Sequence, residues 1–109
     1  MAMFSRQLPL IGLLFVAWSM PASASLATEY PIVIEHMKFG PLPATVHVGD
    51  VIVWQNRDIF RHTATARDKS FDVELPPGAD TPMPLKQSGS FAFFCRFHPG
   101  MTGTLVVSP

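Results

Sequence analysis

Cys95, His98 and Met101 stand within seven residues, Cys95-Arg96-Phe97-His98-Pro99-Gly100-Met101, so that a thiolate, an imidazole and a thioether share one short segment in the pattern C-x-x-H-x-x-M. A loop between neighbouring strands can turn all three side chains toward one point, and His62 from elsewhere in the chain would complete a set of four. Two imidazole nitrogens and a thiolate in a near-trigonal plane, with a long, weak thioether contact on the axis, form the arrangement that holds copper for electron transfer. Thiolate and thioether are soft donors suited to Cu(I), whereas imidazole serves both oxidation states. A geometry between their preferences needs little rearrangement when an electron moves.

Taken singly, each of these residues has an ordinary reading. Cys95 could be a small buried hydrophobe, Met101 a loop-packing residue, and either histidine a surface group. Their joint spacing in a strand–loop–strand context is what points to a metal. Zinc is disfavoured, because methionine is a poor zinc ligand. A Cys95/His98 nucleophile pair would need an orienting group, an oxyanion hole and a cleft that a domain this small offers little room for, so no enzyme activity is expected. His36 and His47 read as surface residues, Met37 and Met83 as core fillers, and Trp54, Phe91 and Phe93 as core aromatics without a redox role. Arg57, Arg61, Arg67 and Arg96 are the one charge feature, read either as solvated loop charges or as groups that steer an acidic partner.

The elements that must position the site are strands. Short runs rich in Val, Ile, Thr and Phe are broken by Pro and Gly, and no stretch holds a 3.6-residue apolar period. Strands are expected over 30–36, 45–48, 51–56 and 62–66, with a turn at Gly49-Asp50. The polar, Pro-rich stretch 67–80 reads as a loop or irregular edge segment, and Pro82 and Pro84 confine their strand to an edge. Buried strands over 90–95 and 104–107 should flank the Cys95–Met101 loop. Six to eight short strands suggest an all-β sandwich of two antiparallel sheets packed face to face.

Arg6, an apolar stretch over 8–18 and the tripeptide Ala22-Ser23-Ala24 read as a secretory leader, residues 1–24, cleaved after Ala24 to leave a single domain over 25–109. The apolar stretch is well short of the ~20 residues a spanning helix requires. Cys95 is the only cysteine in 109 residues, so no intramolecular disulfide can form, and a lone thiol in an exported chain calls for a reason such as metal ligation. A net charge of zero and a charged fraction of 15% argue against nucleic acid and against a strongly charged docking face.

Beyond these residues, the chain resembles the cupredoxins, the type 1 (blue) copper proteins of the plastocyanin/azurin superfamily, and within them most the amicyanin type. The resemblance runs from Tyr30 to Val107 and rests on the short C-x-x-H-x-x-M loop, the turn Val48-Gly49-Asp50, and Val53-Trp54-Gln55-Asn56 placed so that Asn56 stands six positions before His62. It implies a Greek-key β-sandwich, one Cu(I)/Cu(II) per chain held by His62, Cys95, His98 and Met101, and supporting roles for Asn56, Thr63 and Phe97. Two departures stand out. The family usually has Asn where this chain has Thr63; its backbone N–H bonds the cysteine sulfur and its side chain ties the ligand loops together. Amicyanins tend to have Pro where this chain has Phe97, whose free N–H, if aimed at the Cys95 sulfur, would raise the reduction potential.

The function these observations imply is that of a periplasmic one-electron carrier. Its redox partner proteins, for which the resemblance suggests a dehydrogenase and a c-type cytochrome, would dock at an apolar patch around His98 and Pro99. A monomer without nucleic-acid partners or a membrane span after leader removal is expected. The alternative is periplasmic copper delivery, which usually wants an exposed, Met- or His-rich site.

Overall fold

The computed structural model describes residues 2–21 and 27–109. Residues 2–21 form neither helix nor strand, and their large apolar side chains, including Leu8, Leu10, Phe15 and Trp18, are exposed. Among the described residues no helix is long and apolar enough to cross a membrane. The expected cleavage tripeptide falls in 22–26, outside the described residues.

From Glu29 onward nine strands follow: β1 Glu29–Glu35, β2 Lys38–Phe39, β3 Val46–His47, β4 Val51–Asn56, β5 His62–Ala66, β6 Asp72–Leu75, β7 Asp80–Pro84, β8 Gly89–Phe94 and β9 Thr102–Ser108. They form a four-stranded sheet in the order β2-β1-β4-β7 and a five-stranded sheet in the order β3-β9-β8-β5-β6. The all-β sandwich is as expected, with nine strands in place of six to eight and three further differences. Both sheets are mixed, because β1 runs parallel to β4 and β3 parallel to β9, each chain segment crossing to the other sheet before it returns. The polar stretch after Arg67 contains β6, whose backbone pairs with β5 although only Leu75 is buried; an edge strand needs one apolar anchor, not an apolar run. The strands around the Cys95 loop are buried on one face only, Phe93 in β8 and Leu105 and Val107 in β9. As anticipated, the proline-flanked β7 lies at an edge.

Alternation along the strands builds the core and points past it to the site. Ile32 and Ile34 in β1, Ile52 and Trp54 in β4, Ala64 and Ala66 in β5, and Phe93 in β8 are all buried between the sheets. Each such isoleucine or phenylalanine side chain removed from water contributes about 1.5–3 kcal/mol. Phe93 meets Trp54 edge-to-face at 5.3 Å and Phe39 at 4.9 Å. Carrying the same inward alternation to the strand ends places Asn56, His62 and Cys95 at the boundary of the core, all fully buried.

Phe93 faces Gly103 across the β8–β9 pair, and a Cβ built on Gly103 would stand 2.5 Å from the far carbon of the Phe93 ring. The ring cannot retreat, since Trp54 and Phe39 already pack against it. Gly103→Ala is therefore expected to destabilise the fold by about 1–3 kcal/mol, the usual cost of overpacking, as read by the urea midpoint at constant m-value. An unchanged midpoint would show that the aromatic cluster has room that its packing does not suggest.

Candidate metal centre

At one end of the sandwich, His62 enters on β5, while Cys95 and His98 come from the loop after β8. One donor atom from each of the three lies within 4.8 Å of the others. Cys95 Sγ is 3.7 Å from His62 Nδ1 and 3.8 Å from His98 Nδ1. With metal–nitrogen and metal–sulfur bonds of about 2.0 and 2.3 Å, a nitrogen and a sulfur opened to near 120° stand about 3.7 Å apart, the separation that both nitrogen–sulfur pairs have here. The donor chemistry, one thiolate and two imidazoles, fits copper. Met101 is buried, and its backbone closes the loop: its N–H donates to the His98 carbonyl at 2.8 Å and its carbonyl accepts from the Cys95 N–H at 3.1 Å. The structure thus brings His62, Cys95 and His98 together, with Met101 closing the loop that carries two of them.

Asn56 organises the segment that leads to His62. Its side-chain amide donates to the Phe60 and Leu75 carbonyls, both at 2.8 Å, and its Oδ1 accepts from the Asp58 N–H at 2.9 Å. Buried and fully bonded, it fixes the 57–61 loop to β6.

That loop carries a residue the sequence reading missed. The Asp58 carboxylate accepts from the backbone N–H of His36 at 2.8 Å and of Met37 at 3.1 Å, and lies 2.7 Å from His62 Nε2. An ionised carboxylate only accepts, so the proton belongs on Nε2, which leaves Nδ1 with a free lone pair on the side facing Cys95. Burial alone would raise the Asp58 pKa, but the bonds from His62, Met37 and His36 outweigh it and hold the group below the ordinary carboxylate value. The turn that supplies the two amides is strained: His36 and Met37 have φ of 52° and 60°, where glycine or asparagine is the usual choice. Met37 is accordingly a partly exposed turn residue, not the core filler expected, and His36 is exposed as anticipated. The only sequence signal for Asp58 was an acid four positions before His62, indistinguishable from any loop aspartate.

The departure at Thr63 is compensated. Its N–H donates to Cys95 Sγ at 3.4 Å, and its hydroxyl accepts from the Arg96 N–H at 2.9 Å, so a side-chain tie between the two loops exists without an asparagine. Among the described hydrogen bonds none runs from the Phe97 N–H to the sulfur, so the reason for expecting a raised potential from Phe97 is absent here. Phe97→Pro is expected to change the potential by less than about 30 mV, a factor of roughly three in the electron-transfer equilibrium. A clear drop in cyclic voltammetry would mean that metal binding turns this amide onto the sulfur.

The arginines are mostly paired. Arg96 reaches Asp72 and Glu74, Arg61 reaches Glu74, and Arg57 reaches Asp80. Arg67 stacks on the Phe94 ring with 4.7 Å to its centroid. Pairing removes most of the net positive field that the steering reading needed. Around half-buried His98 the surface is apolar instead: Ile59 is 83% exposed and Phe60 and Phe97 are each 50% exposed, beside exposed Pro99. The Phe60 ring lies edge-on to His98, centroids 6.3 Å apart.

Comparison with known proteins agrees with this fold. The family model described as the cupredoxin-like domain matches residues 8–107. No curated protein sequence matches the chain. Among solved structures, amicyanin from Paracoccus versutus is similar at 23% identity with a TM-score of 0.62, covering 83% of this chain and 86% of its own. A reduced amicyanin variant carrying phenylalanine in place of a proline is 25% identical, TM-score 0.62, over 75% of this chain and 82% of its own. A copper-containing nitrite reductase from Thermus scotoductus matches at 23% identity and a TM-score of 0.67, over 86% of this chain but 25% of the reductase.

Proposed function

The chain belongs to the family of cupredoxin-like domains, and from that premise we propose that it is an exported one-electron carrier with a single type 1 copper. The observation that carries the reading is the convergence of His62 Nδ1, Cys95 Sγ and His98 Nδ1 within 4.8 Å, beside an exposed apolar rim. His62, Cys95 and His98 would hold the copper, with the Met101 thioether as a further, weaker donor. The copper supplies the one-electron couple. The protein's share is rigidity: Asn56 anchors the 57–61 loop, Asp58 holds the His62 ring, and Thr63 donates to the sulfur, so the donor set keeps its shape in both oxidation states.

Ile59, Phe60, Phe97 and Pro99 form the face on which redox partners dock, with His98 as the exit for the electron. Such encounters are small and transient, which suits a weakly charged apolar rim. Residues 1–24 act as the leader to the periplasm, and the released domain works as a monomer. A dehydrogenase as donor and a c-type cytochrome as acceptor fit this reading.

Copper delivery is the second reading, and the burial of the site argues against it: Cys95 and His62 are fully buried, whereas an exchangeable site is open. The same burial keeps a substrate from the thiolate, and the likeness to nitrite reductase extends over only 25% of that protein. The test is to load the mature protein with one equivalent of Cu(II) and record absorption and EPR spectra. An intense thiolate-to-copper band with narrow hyperfine splitting supports the carrier; a pale complex that soon becomes Cu(I) supports delivery and overturns it.

A further inference from the structure

We propose that Thr65 and Asp72, neither of which touches the donor set, are positioning residues for the Cys95 thiolate, acting on Thr63 through a one-way row of hydrogen bonds. The inference rests on the copper reading above and concerns what holds in place the one backbone donor to the sulfur among the described residues.

Thr63 Oγ1 is 2.9 Å from Thr65 Oγ1, and Thr65 Oγ1 is 2.7 Å from Asp72 Oδ1. The direction of every bond follows from chemistry. The Asp72 carboxylate can only accept, so the Thr65 proton goes to it. The Arg96 N–H can only donate, and it donates to Thr63 Oγ1. The Thr63 proton is then left with Thr65 Oγ1 as its acceptor, and the row reads Arg96 N–H to Thr63 to Thr65 to Asp72. Thr63 is fully buried, so its hydroxyl relies on this acceptor.

Strand pairing makes the row possible. Thr65 lies opposite Asp72 and Thr63 opposite Glu74 on the β5–β6 pair. The Arg96 side chain spans both acids, Nε to Asp72 at 3.2 Å and a terminal nitrogen to Glu74 at 2.6 Å. Backbone and side chain of Arg96 therefore grip both ends of the row, and Arg96 follows Cys95 directly. Without the Thr65 hydroxyl, the Thr63 proton must find another acceptor, and the residue whose N–H bonds Cys95 Sγ at 3.4 Å is held from its side chain by the Arg96 N–H alone. A weaker N–H···S bond leaves the thiolate a stronger donor to Cu(II), which lowers the potential.

The experiment compares Thr65→Val, which removes the hydroxyl at nearly constant shape, with wild type and with Thr65→Ser. In the copper-loaded mature protein, Thr65→Val is expected to shift the electron-transfer equilibrium three- to tenfold toward Cu(II), about 30–59 mV downward at 59 mV per tenfold, and to change the relative intensities of the thiolate bands. In the metal-free protein the Arg96 amide should exchange with solvent at least tenfold faster. Thr65→Ser should restore all three. Asp72→Ala, altered at the exposed end, is read by Arg96 exchange alone, because a lost charge moves the potential for its own reason. Wild-type values of potential, spectrum and exchange in Thr65→Val would overturn the proposal. Wild-type protein without a thiolate band would instead overturn the copper reading, while Arg96 exchange in the metal-free variants would still decide whether the row exists.

Discussion

Cys95→Ala protein is expected to lose the intense thiolate charge-transfer absorption altogether and to bind copper at least 100-fold more weakly. Sγ is the charged soft donor of the set and lies within 3.8 Å of both imidazole nitrogens. The change also removes the acceptor for the buried Thr63 N–H, and an orphaned buried donor costs about 1–3 kcal/mol. Cys95→Ser separates the two effects. A serine oxygen can still accept from Thr63, so metal-free stability should stay nearer wild type, yet a hard hydroxyl cannot replace the thiolate and the band stays absent. Visible absorption, copper competition and urea melts of both variants check this; a retained band in either would remove Cys95 from the centre.

The second large effect is expected at Asp58, a residue no metal would touch. Asp58→Ala removes the acceptor that places the His62 proton on Nε2, so the ring is free to protonate Nδ1, the nitrogen offered to the metal. Loss of a partner of this kind typically costs 10–100-fold in metal affinity, and that loss is expected here. The variant also releases the amides of His36 and Met37, so the strained turn between β1 and β2 loses its compensation. Asp58→Asn should fall between: its amide oxygen can accept from His62 but without charge, which weakens the support for Cu(II). Its potential should rise by about 59 mV for each tenfold shift toward Cu(I). Nitrogen-15 chemical shifts of His62 in the metal-free protein report the tautomer directly. A pure Nε2–H form in Asp58→Ala would show that the tautomer is held by something else.

How much of this was legible in sequence depends on the distance along the chain over which each feature is made. The C-x-x-H-x-x-M loop is local, so Cys95, His98 and Met101 could be read together from spacing. His62 came from the strand pattern before it and from the family resemblance, as did Asn56, whose three side-chain bonds now explain why an amide belongs there. The inward alternation of β4, β5 and β8 carried enough information to place a sandwich and its aromatic core. Strand β6 was missed because its pairing is a backbone property, and its side chains carry one buried apolar residue in four.

By itself, then, the sequence determined the strand periods, the aromatic core and a candidate donor set of imidazole, thiolate and thioether, because each is written in side-chain chemistry at short spacing. Only the tertiary structure decided that both sheets are mixed and that Arg61 and Arg96 are neutralised by acids of β6. It likewise decided that Asp58 bridges a strained turn to His62, and that the Thr63 hydroxyl, in a row with Thr65 and Asp72, takes the Arg96 N–H. Asp58 stands 22 residues from His36, and Arg96 stands 24 from Asp72 and 33 from Thr63. Hydrogen bonds across such separations depend on how the strands pair and the sheets stack, and no spacing along the chain encodes them.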